Sequence, residues 1–517
     1  MIDKIFYNGS VLTQNKQEPE CTAFAISDGK FFAVGDDNFV LQLKSSQTLL
    51  IDLENKTVLP GFNDAHIHVW KVGNLLTSLL DLRGVKSLDE MQRKLIEYAN
   101  KNPQLEWILA RGFNEANFPD KRMPDKFDLD KIISDRPVCV TRTCAHQIIV
   151  NTKALEICNI TSATEIPVGG EIKLLPDGSL AGHFTETALG LILSRIPKYT
   201  KTQLRKMILA AQEKFIKCGI TSASDPAVEK DIIEVYKEMD KNGELKIRMN
   251  IFPIRVPDGI NKVYPLPEKY HSEFLTIDTV KFFADGGLSG RTAAMKNSYK
   301  NSDELGVLRI EKETFKKLAM ESQNAGFRIA VHAIGDAAIE MVLDVFEEIA
   351  PFNQNKINHR IEHLGFPSTQ NLQQMRSLNI SAIMQPVFIY ELGKNFIQNL
   401  SPYYLNFVYP VKSVLDAGVN LAFSTDAPVV INFDPLFNMS CAIHRKDNSG
   451  NIISADQVVS AEDAIFAYTM GSAKAAGIDA LYGSVEKGKL ADFIILEGNV
   501  GEQRVVSTYV NGLKLQE

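Results

Sequence analysis

From about residue 216 onward, short apolar segments alternate with stretches of helical period. The strand candidates are Gly219–Asp225, Ile247–Ile254, Thr279–Asp285, Phe327–Ile334, His359–Leu364, Ile380–Pro386 and Val419–Ser424. Helical patterns such as Glu311–Ala325 and Asp336–Ile349 lie between several of them. Apolar strands separated by helices predict a parallel sheet covered on both faces. One more strand candidate precedes His66, which brings the set to eight. That is the number for an α/β chain closing into a (β/α)8 TIM barrel.

The remaining chain does not follow this alternation. Residues 1–57 read as short strands (Lys4–Tyr7, Val11–Leu12, Ala23–Ile26, Phe31–Val34) with turn chemistry at Asn8-Gly9 and Ser27-Asp28-Gly29-Lys30. Residues 484–517 have the same texture, with a turn at Asn511-Gly512. A small β element needs a partner to bury its face. The two ends therefore predict one composite β-sandwich domain, and residues 58–483 the barrel. Residues 70–215 are too long for one connection between strands 1 and 2. They predict an inserted subdomain with strands of its own at Trp107–Arg111 and Pro137–Arg142.

Bulk properties exclude several classes. The chain has 517 residues and a formal net charge of −7, which argues against nucleic acid or an anionic membrane as partner. No run of about 18 apolar residues is present, and the N-terminus lacks the apolar core of a secretory signal. The six cysteines are scattered without a C-x-x-C pair. They read as reduced thiols of a cytoplasmic protein.

The strand ends carry the chemistry. The segment Val58–His68 ends in His66-Ile67-His68. If extended, it would put both side chains on one face with their Cβ atoms roughly 6.5–7 Å apart, a gap that one metal ion can bridge. Alone the pair is weak, because many such pairs are ordinary surface residues. Later strand ends add Lys281, His332, His363 and Asp426. Barrel chemistry is built at the C-terminal ends of strands, so these six residues predict a metal site. Each has a plainer alternative. His332 and His363 could be core histidines, Asp426 a helix N-cap beyond Pro428 and Lys281 a surface lysine. His359 reads as structural. A buried lysine loses its charge readily. A neutral Lys281 amine could react with CO2, giving a carbamate that bridges two metals; without it the site would hold one ion.

These motifs resemble the amidohydrolase superfamily, and within it the YtcJ-like branch of amidohydrolase family 3. The markers are residues 59–68, 281–286, 291–295, 332–336, 360–363, 424–428 and 483–492, with Arg111-Gly112-Phe113-Asn114 in the insertion. The resemblance implies a distorted barrel in which His66 and His68 hold one metal with Asp426. His332 and His363 would hold the second, and carboxylated Lys281 would bridge. It implies two Zn per chain, with one ion, or Mn, Fe or Ni, as alternatives. The implied activity is hydrolysis of a non-peptide C–N bond of amide, formamide or N-acyl type by metal-activated hydroxide, with Asp426 as general base. The alternatives are a mononuclear deaminase and a non-catalytic barrel used for assembly. The substrate is a small molecule, and a homodimer is allowed. Candidates for the specificity pocket are Arg291, His146, His183, Glu186 and Trp70. The glycine-rich residues 284–290 offer a weaker reading as a phosphate cradle. The insertion is expected to roof the site.

Overall fold

The apolar segments form strands. In a computed structural model, which describes residues 2–143, 147–167, 170–257, 262–354, 356–498 and 503–515, they are β1 (Phe62–Asp64), β2 (Ile220–Val228), β3 (Arg248–Pro253), β4 (Thr279–Phe283), β5 (Arg328–Ala333), β6 (Arg360–His363), β7 (Ser381–Met384) and β8 (Leu421–Phe423). Strands β1 to β3 pair in parallel in one sheet, and β4 to β8 pair in parallel in another. Two seams join them. Ile254, just past β3, forms a parallel bridge to Lys281 of β4, and Ala65, just past β1, donates to Phe423 O of β8 at 3.2 Å. The fold is mixed α/β.

Nearly every residue of these strands is buried, including β3 and β6 throughout. Helices between the strands bury one stripe each. The helix Asp336–Ile349 after β5 buries Ile339, Val342, Leu343, Phe346 and Ile349, a spacing of three and four that suits one covered face. The helix Thr369–Ser377 after β6 starts at a capping box between Ser368 and Asn371.

The chain divides into two units. The first comprises Met1–Val69, Ala211–Pro257 and Lys262–Glu517, and also carries the terminal strands. Lys30–Gly35, Ala23–Ser27, Lys4–Tyr7 and Leu49–Asp52 form a four-stranded sheet. A six-stranded sheet pairs Phe493–Glu497, from the C-terminal end, with Thr57–Pro60 from the N-terminal end. One aromatic cluster serves both sheets: Phe493 stacks on Tyr509 at 4.4 Å, and Phe6 stacks on Phe24 at 4.8 Å. From Pro60 the chain passes directly into β1 through Gly61. A Cβ there would stand 2.2 Å from Thr221 Oγ1, so the crossing admits no side chain.

The second unit is built on Trp70–Ala210. Its six-stranded sheet runs in the order Gly170–Leu174, Leu180–Glu186, Gln147–Val150, Val138–Arg142, Ile108–Phe113 and Leu80–Asp81. The helix Leu88–Lys101, capped by Ser87, buries Met91, Leu95 and Ala99 in a core shared with Ile108, Val138 and Val140. No helix among the described residues is long and apolar enough to cross a membrane.

Candidate metal centre

Strand β1 stops at Asp64, so His66 and His68 lie in the turn beyond it and not in extended chain. The turn arises because its amides bond to both neighbours. Ala65 N reaches Phe423 O, and Ile67 N reaches Ser224 O at 2.9 Å. The pair still converges. His66 Nε2 and His68 Nε2 lie 3.4 and 3.3 Å from Asp426 Oδ1, and the three residues form a buried His–His–Asp group able to hold a metal.

Asp426 caps no helix. The following helix, Pro435–His444, is capped by Asp434, and Asp426 itself stands in the left-handed region at φ 59°. Its amide donates to His66 O at 2.8 Å, and His68 N donates to Ala427 O at 2.9 Å, which laces the ends of β1 and β8 together. Asp64 braces the same seam: its carboxylate accepts from His66 N, Thr425 N and Thr425 Oγ1.

The other strand ends complete the cluster. The His363 ring lies 4.9 Å from His66 and 4.4 Å from His332, centroid to centroid. Lys281 is fully buried and not a surface lysine. Its amine has no hydrogen-bond partner, and neither does Asp426 Oδ1. Asp426 Oδ1 with the His66 and His68 imidazoles makes a donor set that fits a divalent ion.

Three imidazoles have one nitrogen occupied. His66 Nδ1 donates to Glu362 Oε2 at 2.5 Å. His363 Nδ1 donates to Gln385 Oε1 at 2.9 Å, and Gln385 Nε2 in turn donates to Ser424 Oγ. His332 Nε2 donates to Gly286 O at 3.0 Å. These partners select the tautomers and leave His66 Nε2, His363 Nε2 and His332 Nδ1 with the lone pairs that ligation requires.

Electrostatics follow from burial. Burial pushes the Lys281 amine down to about 8, against the upward pull of Glu362, Asp426 and Asp285. It pushes His363 down to about 3, and His332 well below its ordinary value with help from the charges of His363, Lys281 and Arg309. Burial alone would raise Asp426, but the His66 and His68 imidazoles beside it, with the charges of His66 and His363, hold it well below the usual carboxylate range.

Glu362, Arg360, Gln385, Asp64 and Asp285 were not among the sequence candidates. Arg360 and Glu362 stand in the four-residue strand Arg360–His363, which is wholly buried, and two opposite charges one residue apart before His363 were the available signal. Arg360 donates to both Glu362 oxygens and to Ala65 O at 2.6 Å. Asp285 accepts amides from Ala294, Ile334 and Gly335, so the glycine-rich loop is filled by its own carboxylate and is no phosphate cradle. Gly335 is required there: a Cβ would stand 1.9 Å from Ala294 O.

The proposed pocket residues scatter. Arg291 donates to Asn399 Oδ1 at 3.1 Å and lies 3.6 Å from Glu304. In the second unit, His183 Nε2 bonds Gln147 Oε1 at 3.0 Å, and the Trp70 ring lies 6.5 Å from Tyr199. Glu186 ends the strand Leu180–Glu186, but its side chain lies outside the described part, as does all of His146. His359 is bonded at both nitrogens, to Ile329 N and Gln323 Oε1.

A buried His–His–Asp group at the ends of parallel strands is the arrangement of a metal-dependent enzyme. The chain belongs to the amidohydrolase family, whose profile matches residues 49–512. It is 27% identical to YtcJ of Bacillus subtilis (strain 168), over 96% of this chain and 94% of that protein. It is 25% identical to N-substituted formamide deformylase of Arthrobacter pascens, over 99% and 98%. Among solved structures, it superposes on an uncharacterized metal-dependent hydrolase from Pyrococcus horikoshii with TM-score 0.79. The identity there is 26%, covering 96% of this chain and 97% of the other.

Proposed function

We propose that the enzyme hydrolyses a non-peptide C–N bond of amide, formamide or N-acyl type. The reading places the reaction in a closed (β/α)8 barrel, beside a β-sandwich made by both chain ends, in a cytoplasmic protein. One observation supports it: His66 and His68 meet Asp426, the His363 ring lies 4.9 Å from His66 and 4.4 Å from His332, and the buried Lys281 amine has no hydrogen-bond partner. The formamide-deformylase relative points to the same bond class.

In this reading His66, His68 and Asp426 hold one divalent ion, and His332 and His363 a second. When bound, such ions polarise a carbonyl and acidify water. Asp426 accepts the proton of the attacking water and passes it to the departing nitrogen. Carboxylated, Lys281 would add oxygen donors to that set. With its amine pushed down to about 8, a neutral fraction is present near pH 7. That amine adds to CO2, forming a carbamate and releasing one proton. The Glu362–Arg360 pair and Gln385 hold imidazole orientation.

Metal analysis of the purified protein, followed by a screen of formamides, N-acyl amines and N-acyl amino acids, tests the reading. Two ions per chain and turnover of at least one member are expected. Metal-replete protein without hydrolysis across the panel would overturn it. Replacement of Lys281 by methionine should lower the stoichiometry toward one ion.

A further inference from the structure

Tyr409 carries a buried hydroxyl for which the fold has no use. The residue is 2% exposed, and among the described residues no hydrogen bond reaches its hydroxyl. Other buried tyrosines are satisfied. Tyr236 donates to Asp225 Oδ2 at 2.7 Å, Tyr299 to Ala293 O at 2.9 Å and Tyr404 to Asp336 Oδ2 at 2.8 Å. A buried polar group without a protein partner calls for one from outside the chain.

The hydroxyl lies at the ligand end of the strands. Tyr409 N donates to Gly365 O at 2.9 Å, two residues past His363. Phe388 stacks on the His363 ring at 6.1 Å and meets the Tyr409 ring at 5.7 Å, and Phe396 meets that ring at 5.7 Å as well. Burial, joined by the charges of Asp285 beyond β4, Asp426 beyond β8 and Tyr299, pushes the hydroxyl well above its ordinary value. It therefore keeps its proton and is available as a donor.

The backbone is arranged to hold this ring. Tyr409 stands in the left-handed region at φ 49°, which is uncommon for a bulky residue. The fully buried Arg445 clamps the segment through its carbonyls: Nη1 donates to Tyr409 O at 3.0 Å, Nη2 to Val408 O at 2.7 Å and Nε to Ile453 O at 3.1 Å. A residue in such a conformation persists where its surroundings over-determine it, and such residues cluster at active sites.

We propose that Tyr409 is a catalytic residue whose hydroxyl donates a hydrogen bond to the carbonyl oxygen of the substrate. When water attacks, the new C–O bond forms, the π pair moves onto that oxygen and the water proton passes to Asp426. The tyrosine keeps its own proton and stabilises the charge gained by the oxygen. A fixed donor aimed at developing charge acts more strongly on the transition state than on the planar amide. The inference rests on the C–N hydrolase reading for the bond that reacts, and one arm of its test does not require turnover.

Tyr409→Phe keeps the ring and removes only the hydroxyl. Binding of acetohydroxamate, a small carbonyl-bearing chelator, to the metal-loaded full chain is measured by calorimetry for wild type and variant. The variant should bind it at least about tenfold more weakly at unchanged metal content. On any amide that wild type hydrolyses, kcat should fall about 100–1,000-fold with little change in KM. Denaturant melts should show the variant at least as stable as wild type, because an unpartnered buried hydroxyl has been removed. Equal binding of the hydroxamate, no binding to either protein at millimolar concentration, or a kcat within about threefold of wild type would overturn the inference. A clear loss of stability would overturn it too, since the hydroxyl would then serve the fold. Absence of wild-type turnover across the amide screen would count against the parent reading alone, and the hydroxamate would then decide the role of Tyr409.

Discussion

The two sides of the ligand cluster are held by different chemistry. On the β1 side, His66 donates to Glu362, a carboxylate that is itself gripped by Arg360, all three fully or almost fully buried. On the β5 and β6 side, His332 and His363 donate to neutral oxygens, those of Gly286 and Gln385. A carboxylate behind an imidazole raises its basicity and strengthens its hold on a cation; a carbonyl mainly orients it. If two ions bind as proposed, the tighter would sit at His66, His68 and Asp426 and the more exchangeable one at His332 and His363.

The largest expected effect lies where both sides meet the reaction. On the proposed reading Asp426→Asn would remove the proton acceptor and weaken a ligand, and turnover should fall by about 10²–10⁴. Steady-state kinetics at saturating metal measures it. Activity within tenfold of wild type would remove Asp426 from the proton path.

Glu362→Gln breaks the charged side alone. It leaves Arg360 buried with Ala65 O and the Phe252 ring as its company. Removing one partner of a buried pair costs about 3–5 kcal/mol. Affinity for the tighter ion should fall about 10–100-fold. Denaturant melts and competition with a chelator read the two effects independently. Gln385→Leu is the matched change on the neutral side, costing about 1–3 kcal/mol through the unsatisfied His363 nitrogen. Its loss of affinity should fall on the more exchangeable ion. Equal effects of the two variants on the same ion would dissolve the distinction between the sides.

Much of this framework could be read from the chain. Each of the eight strand candidates coincides with a strand, trimmed at its ends by a few residues in most cases, because buried apolar segments announce themselves without knowledge of their neighbours. The supporting network could not be read this way. Glu362 lies 296 positions from His66, and Gln385 reaches His363 from the next strand. Nothing local distinguishes a carboxylate that will orient an imidazole from one that will face water. The second unit was harder for a different reason. Two of its six strands were read, Ile108–Phe113 and Val138–Arg142; Leu80–Asp81 has two residues and Gly170–Leu174 is mostly exposed, so neither carries an apolar period. The turn at His66–His68, where extended chain is expected from the sequence, went unseen because it depends on bonds to β2 and β8.

The smallest predicted effect uses a histidine outside the cluster as a control for the comparison. His359 Nε2 donates to Gln323 Oε1 while Nδ1 accepts from Ile329 N, so the ring is held neutral. Burial, with a contribution from the Arg328 charge, pushes it down to about 3. The unfolded chain takes up a proton at this residue near pH 6.5, whereas the folded chain does so only near 3. Between those values the unfolded state binds more protons, so stability rises with pH and is lost on acidification below about 6.5. The slope from this one group is at most about 1.4 kcal/mol per pH unit. Denaturant melts of wild type and His359→Gln from pH 7.5 to 4.5, both stripped of metal, isolate it. The difference in stability between the two should shrink as pH falls. A constant difference would mean that His359 titrates alike in both states, and its buried, doubly bonded position would then have no bearing on acid stability.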